Sequence, residues 1–257
     1  MIKLQSKLNV KAALTAILKT RKSRNRCEGI AQYIYLINKF CEKGTCIPQD
    51  KDFKKIYNEF FDLTRFRSDE VFQKGYYEYM EDNKTNEGLS FKEILKHLKE
   101  LPPHHKVEKS FGSKLLSMIN PEYCPPWDGN VKSSLERLGI LESLRIKVPS
   151  SSCICAWSDF YEEICVWYKN FVAPSGEGTE WIGLFDTWFE KDWHGWYTKF
   201  LNENKEAETW IKWLHDNKKK ISRDEITKVK KIDLIFWQAG ANKVDGIIPS
   251  IWKIKAE

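Results

Sequence analysis

The chain has 257 residues, of which 42% are hydrophobic and 30% are charged, so it can bury a substantial core and is not a disordered polymer. Its 42 Lys and Arg residues outnumber its 36 Asp and Glu residues, which gives a net charge of +6. The longest apolar runs, such as residues 234–237, are too short to cross a bilayer, and the first residues lack the apolar segment of an export signal. We therefore expect a cytoplasmic protein with no membrane partner.

Helical periodicity dominates the N-terminal part of the chain, where apolar residues recur three and four positions apart. The groups are Leu14, Ile17 and Leu18; Ile30, Tyr33, Ile34 and Ile37; and Phe53, Ile56, Phe60 and Phe61. Only 13 glycines and 9 prolines interrupt the whole chain. The pattern predicts an all-α fold.

Two helices with clear ends follow. Ser90 and Glu93 form a capping-box pattern that opens a helix over residues 91–98, and the prolines at 102 and 103 end it. Residues 111–119 form a second helix, with Phe111, Leu115, Met118 and Ile119 facing inward and Lys114, Ser113 and Ser117 on the polar side. Asn120 and Pro121 stop this helix.

Asp128 comes next, after an extended link that Pro125 and Pro126 stiffen. It stands where an N-cap belongs, before a helix that carries Val131, Leu135 and Leu138 and closes at Gly139.

The C-terminal half is predicted to be helical as well. A serine-rich loop at 149–152 precedes an aromatic helix over residues 157–171, and residues 174–178 are the best candidate for a hinge. By their apolar pattern, residues 232–238 could be a buried helix or a strand, but one short apolar run does not make a sheet.

The cysteines and histidines do not form a metal-binding pattern. The seven cysteines fit neither a paired CxxC zinc site nor an iron–sulfur spacing, and no two of the five histidines are four residues apart. We expect free thiols, no metal and no cofactor.

Positive charge is concentrated in two segments, a distribution that suggests a polyanionic partner. The first contains Lys19, Arg21, Lys22, Arg24 and Arg26, and the second contains Lys218, Lys219 and Lys220, followed by Lys228, Lys230 and Lys231. Solvated helix ends would give the same pattern, so charge alone does not decide between these interpretations.

Several signals meet in residues 110–135, which read SFGSKLLSMINPEYCPPWDGNVKSSL. A lysine-bearing helix, a proline-stiffened connection and an aspartate at the start of the next helix follow one another. This order resembles the helix-hairpin-helix DNA glycosylases, in which a proline-rich link delivers a characteristic Asp to a helix N-terminus. Residues 128–132 are most similar to the adenine-mismatch branch, whereas Lys114 is similar to the Schiff-base lysine of the 8-oxoguanine branch. The chain departs from the family at residues 101–105, which lack the glycines of its hairpin.

The resemblance implies a two-lobed helical bundle with a cleft between the lobes. Residues 1–257 would form one two-lobed unit, with residues 90–145 as the catalytic segment and residues 172–257 as a Trp-rich C-terminal part. The partner would be DNA with an extrahelical modified base, bound by a monomer.

It also implies roles for individual residues. Asp128 would stabilise the sugar cation that forms when the N-glycosidic bond breaks, and Lys114 would attack C1′ if the enzyme also cleaves abasic sites. Four residues could line the base pocket, namely Trp127, Tyr123, Trp237 and Gln238. The candidates for DNA contacts are Lys19, Arg21, Lys22, Arg24, Arg26, Lys132, Lys218, Lys219 and Lys220.

Other interpretations stay open at this point. Asp128 serves equally well as a simple helix cap, and the aromatic residues beside it are typical of a core. The chain would then be a catalytically silent helical DNA-binding module or a protein-interaction domain. The excised base, the choice between repair and defence against modified foreign DNA, and the mode of phosphate anchoring are not specified by the sequence.

Overall fold

This computed structural model describes residues 10–18, 26–63, 69–102, 106–204, 208–218 and 221–241. The regular elements in these ranges are all helical, so the predicted all-α fold is confirmed. The α-helices are α1 (Val10–Leu18), α2 (Arg26–Cys41), α3 (Lys51–Phe60), α4 (Glu70–Asn83), α5 (Phe91–Glu100), α6 (Lys109–Ile119), α7 (Gly129–Arg137), α8 (Ile140–Ser143), α9 (Ile154–Phe171), α10 (Gly178–Trp188), α11 (His194–Glu203), α12 (Thr209–Asp216) and α13 (Lys228–Ala241). A π-helical turn at Phe189–Trp193 joins α10 to α11, and a 3-10 turn at Arg223–Glu225 precedes α13.

Several features of the helices lie where the sequence predicts them. The Ser90 and Glu93 capping box is formed at the start of α5. Gly139 follows α7 with a φ of 69°, in the left-handed region that glycine adopts without strain. Residues 232–238 lie within α13, so the helical interpretation of that segment is the correct one.

One apolar cluster runs through the described residues, from Val10 in α1 to Ala239 in α13. Helix α13 packs against α1, α7 and α10, α5 packs against α6 and α9, and α2 packs against α1, α3, α11 and α12. The division into two lobes and the boundaries at 90–145 and 172–257 stay predictions.

Helix α6 differs from its prediction, because the predicted polar face does not meet solvent. Ser113, Lys114 and Ser117 are all buried. Helix α5 approaches so closely that a Cβ on Gly112 would lie 3.0 Å from the ring of Phe91, and the linker after α6 covers another face through Ser113. The neighbouring elements therefore enclose the short polar side chains of α6 together with its lysine.

Candidate functional site

Three side chains hold the linker between α6 and α7 in place. Thr227 donates a hydrogen bond to the carbonyl of Pro121 at 2.8 Å, and Tyr161 donates one to the carbonyl of Pro125 at 2.6 Å. The Trp127 amide donates to Ser113 Oγ at 2.9 Å. Ser113 precedes Lys114 and Trp127 precedes Asp128, so this last bond fixes the lysine and the aspartate relative to each other.

Asp128 caps α7, as the sequence predicts. Its Oδ1 accepts hydrogen bonds from the amides of Asn130 at 2.8 Å and Val131 at 2.9 Å. Its Oδ2 accepts no hydrogen bond from the described residues, and the side chain is only partly buried. One carboxylate oxygen is thus fixed by the helix and the other is open to a ligand.

Lys114 lies in the interior, with 7% of its surface exposed. Its Nζ donates to the carbonyl of Phe61 at 2.8 Å and lies 5.9 Å from the centre of the Phe61 ring. Burial lowers the pKa of the ammonium group, while the negative charges of Asp128 and Asp62 oppose this effect and the positive charge of Lys230 adds to it. A lysine with a lowered pKa has more of the neutral amine that nucleophilic chemistry requires.

A buried ion pair interacts electrostatically with these two residues. Lys230 Nζ and Asp233 Oδ2 are 2.7 Å apart, and their side chains are 8% and 3% exposed. The Lys230 amine also lies over the rings of Tyr33, Phe60 and Phe61, at 5.3, 4.9 and 5.8 Å from their centres.

Asp233 is electrostatically coupled to the capping carboxylate. Burial raises the pKa of Asp233 to about 6, an effect that Lys230 opposes and Asp128 increases. Two carboxyl groups and two amines from α6, α7 and α13 therefore form one charged cluster, which we call the Lys–Asp cluster: Lys114, Asp128, Lys230 and Asp233.

Close contact between α7 and α13 sets the geometry of this cluster. A Cβ on Gly240 would lie 2.0 Å from the carbonyl oxygen of Asn130, so glycine is required where α13 passes the start of α7. Ser134 also donates a hydrogen bond to the carbonyl of Phe236. Asp233 is thereby held at a fixed distance from the α7 N-terminus.

Asp233 was not predicted from the sequence, and Lys230 was counted in a basic cluster with Lys228 and Lys231. That assignment of Lys230 and Lys231 is wrong, because both lysines are buried: Lys230 pairs with Asp233 in the interior, and Lys231 pairs at 2.6 Å with Asp186, which is partly exposed. The sequence does contain a pattern that indicates this internal ion pair. Lys230 and Asp233 are three positions apart, next to a run of large apolar residues.

The four candidates for the base pocket lie in different surroundings. Trp127 is 5% exposed and packs edge-on against Phe160, whereas Tyr123 is 49% exposed and lies 5.5 Å from the Lys169 amine. Gln238 is fully buried, and Trp237 is partly buried against the core. Their contact with a base stays a prediction.

Few of the candidates for DNA contacts belong to the described residues. Lys218 is exposed, and Lys132 is 42% exposed with its amine 3.6 Å from Glu136. The positions that lie outside the described residues, or whose side chains do, are Lys19, Arg21, Lys22, Arg24, Arg26, Lys219 and Lys220.

Within the described ranges, no group of three or more His, Cys, Asp or Glu side chains is arranged to hold a metal ion. None of the helices there combines the length and apolarity that spanning a bilayer requires. Comparisons of the chain with protein-family models, with curated proteins and with solved structures find no match.

Proposed function

We propose that this protein is a DNA glycosylase that excises a modified base by breaking its N-glycosidic bond. The observation that carries the proposal is the link between the segment of Lys114 and the segment of Asp128. The hydrogen bond between Ser113 and Trp127 joins the two segments, and the charge of Asp128 acts on the Lys114 amine. An aspartate at a helix N-terminus, with a lysine on the preceding helix, is the arrangement that the sequence resemblance implies.

Asp128 supplies the charge that the reaction needs. Cleavage of an N-glycosidic bond builds positive charge on the sugar, and a carboxylate beside C1′ stabilises that charge. Because both helix amides bind Oδ1, Oδ2 is the atom that would face the sugar. The capping bonds hold the carboxylate in place, so it loses little freedom when substrate binds.

Lys114 supplies the nucleophile for an additional lyase step. Its neutral amine would attack C1′ while the base leaves with the bonding electrons, and the attached nitrogen would then lose a proton to give an aminal. Return of that proton to O4′ as the C1′–O4′ bond breaks would open the sugar ring and leave a protonated imine between lysine and sugar. The Phe61 carbonyl orients the amine, and burial favours the neutral form. The substrate must displace this hydrogen bond for the amine to react.

A glycosylase must also accept a base that has left the DNA stack. Aromatic side chains surround the cluster on the α2 and α3 side, where Tyr33, Phe60 and Phe61 approach the Lys230 amine. They would provide apolar walls for an extrahelical base. DNA would approach the partly buried Asp128, near the side chain of Lys132, which is 42% exposed.

The test is a screen of the full-length protein against DNA duplexes that each carry one oxidised, alkylated, deaminated or bulky modified base. We expect release of the free base from at least one duplex. Salt-dependent DNA binding without release from any of them would identify a silent DNA-binding module instead. Absence of both release and binding would favour a protein-interaction domain.

A further inference from the structure

Two cysteines lie where the linker between α6 and α7 passes α9. Cys124 belongs to the linker and Cys165 belongs to α9, and both are partly buried free thiols. They are far apart in the sequence, so only the fold brings them to the same place.

Two contacts align the linker with one face of α9, one on each side of Cys124. The Tyr161 hydroxyl donates a hydrogen bond to the carbonyl of Pro125, the next residue of the linker, at 2.6 Å. The Lys169 amine lies 5.5 Å from the centre of the ring of Tyr123, the preceding residue. The α9 cysteine is four positions from both contacting residues of α9, so it shares their face of the helix. The two thiols therefore occupy the middle of this contact.

The Tyr161 hydroxyl is the point where the two cysteines meet. Besides its bond to the Pro125 carbonyl, it is a hydrogen-bond partner of the Cys165 thiol. The Cys165 thiol is in turn a hydrogen-bond partner of the Cys124 thiol. A disulfide requires two cysteine side chains that point toward each other, and two thiols that share a hydrogen bond meet this requirement.

We propose that Cys124 and Cys165 form a redox-active thiol pair, which a small oxidising disulfide converts to an intrachain disulfide. The Cys124 thiolate attacks one sulfur of the small disulfide, whose S–S bond breaks and releases one half as a thiol after it takes up a proton. The Cys165 thiol then loses its proton and attacks Cys124 Sγ, and the second half of the reagent leaves as a thiol. The protein loses two hydrogens with two electrons, and the reagent gains them.

The surroundings of the two thiols set this order of reaction. The hydrogen bond with Cys124 and then burial raise the pKa of Cys165, so this thiol stays protonated and reacts second. Cys124 follows Tyr123, which is 49% exposed, so a small reagent reaches the linker thiol from solvent.

Oxidation would tie the linker to α9 four residues before Asp128. In the reduced protein, hydrogen bonds from Tyr161 and Thr227 hold the linker. A disulfide adds a covalent restraint and removes conformations from the unfolded chain, so the oxidised protein should be the more stable form. A reducing compartment would keep the pair open. This redox site does not depend on the proposed function, because its formation needs no DNA.

Peptide mapping tests the thiol pair directly. The full-length protein is equilibrated with mixtures of reduced and oxidised glutathione, the remaining thiols are blocked with N-ethylmaleimide, and the unreduced peptides are identified by mass. As the share of oxidised glutathione rises, we expect the first intrachain link to join Cys124 and Cys165. A different pair that links first, or a protein that forms only mixed disulfides with glutathione, would overturn the proposal.

The unfolding midpoint in urea gives an independent answer, with Cys46→Ser as the matched control. Cys46 is also a partly buried free thiol. Each variant is compared with its own reduced form, so the cost of the substitution itself does not enter. Oxidised glutathione should raise the midpoint of the wild type and of Cys46→Ser, but not that of Cys124→Ser or Cys165→Ser. A midpoint that oxidation leaves unchanged in the wild type, or raises equally in Cys124→Ser, would contradict the proposal.

The placement of the thiols by Tyr161 is tested by Tyr161→Phe, with Tyr76→Phe as its control. The Tyr76 hydroxyl also donates to a backbone carbonyl, that of Phe111 at 3.0 Å, but it lies away from α9 on α4. At a fixed glutathione ratio, Tyr161→Phe should lower the ratio of linked to open protein several-fold, and Tyr76→Phe should leave it unchanged. Equal ratios for Tyr161→Phe and the wild type would show that this hydroxyl does not bring the thiols together.

Discussion

The N-termini of α3 and α7 both have a capping aspartate and a nearby lysine, but these residues lie in different surroundings. Each is capped by an aspartate, Asp50 or Asp128, whose Oδ1 accepts a hydrogen bond from a backbone amide at 2.8 Å. Each has a lysine whose amine donates to a carbonyl: Lys54 to Pro48 at 2.6 Å and Lys114 to Phe61 at 2.8 Å. Both lysines also lie about 6 Å from an aromatic ring.

The difference lies in what surrounds these parts. Asp50 borders an open surface depression of about 490 Å³, and Lys54 is only partly buried. At α7 the lysine is 7% exposed, and the charge of the capping aspartate acts on a buried ion pair, Lys230 and Asp233. A capping aspartate and a nearby lysine are therefore common features of helix ends, and burial of the charged neighbours is what distinguishes the candidate site.

The two capping aspartates give the first test. Asn caps a helix about as well as Asp, so Asp128→Asn should leave the free energy of unfolding within about 0.5 kcal/mol of the wild type. Loss of the carboxylate charge should lower the rate of base release by about 10²–10³-fold. The control Asp50→Asn should change neither quantity. Base release by Asp128→Asn at the wild-type rate would reduce Asp128 to a cap like Asp50.

The buried pair behind α7 gives the second test, with the neighbouring pair of Lys231 and Asp186 as its control. Lys230→Met leaves Asp233 buried without a counter-ion and should lower the free energy of unfolding by about 3 kcal/mol. Asp186 is 22% exposed and regains water when its partner is removed, so Lys231→Met should cost about 1 kcal/mol. Urea unfolding measures both. Equal losses would mean that the two pairs have equivalent surroundings.

The pH dependence of stability tests the environment of Asp233. Burial raises the pKa of this carboxyl from its ordinary 3.8 to about 6, so the native state binds the proton more tightly than the unfolded chain does. The resulting stabilisation is complete below pH 3.8 and is lost as the pH rises to about 6. Asp233 interacts electrostatically with Lys230, Asp128, Tyr33, Tyr161 and Tyr168.

Asp233→Asn lacks this titration. The stability of the wild type relative to Asp233→Asn should therefore fall by on the order of 2–3 kcal/mol across this pH range, measured by urea unfolding at each pH. A relative stability that rises with pH would show that the attraction of Lys230 outweighs burial and would reverse the sign of the pKa change.

The salt dependence of DNA binding gives the smallest effect. Lys132 and Lys54 each stand four residues after their capping aspartate, so they are matched positions on α7 and α3. If DNA contacts the α7 end, Lys132→Gln should reduce the slope of log affinity against log salt by about one unit, and Lys54→Gln should leave it unchanged. Neutralising Lys218, Lys219 and Lys220 together, or Lys19, Arg21 and Arg24 together, tests the two basic clusters in the same way. Equal slopes for the wild type and Lys132→Gln would place DNA elsewhere.

Local features of the fold were predictable from the sequence. The capping box at Ser90, the cap at Asp128 and the end of α7 at Gly139 depend on residues a few positions apart, and each is present in the structure. Such interactions have short sequence signatures because both partners lie on the same segment.

The surroundings of the site were not predictable in the same way. The burial of Lys114 depends on α5 and on the linker that covers α6, and the neighbours of Asp233 come from α7 and α9. Helical spacing places Ser113, Lys114 and Ser117 on one face of α6, but it does not say whether that face is exposed to water. In the folded protein, neighbouring elements cover this face. Tertiary packing thus turned a lysine of ordinary appearance into a buried amine beside a carboxylate.

Trapping with borohydride tests the pairing of Lys114 with Asp128 most directly. Borohydride reduces the imine between a lysine and the sugar to a stable bond, and the mass of the cross-linked peptide identifies the lysine. On a duplex from which the wild type releases base, we predict a cross-link at Lys114 in the wild type and in Lys54→Gln, and none in Lys114→Gln. A wild-type protein that releases the base without any cross-link, or that cross-links through another lysine, would contradict the role of Lys114.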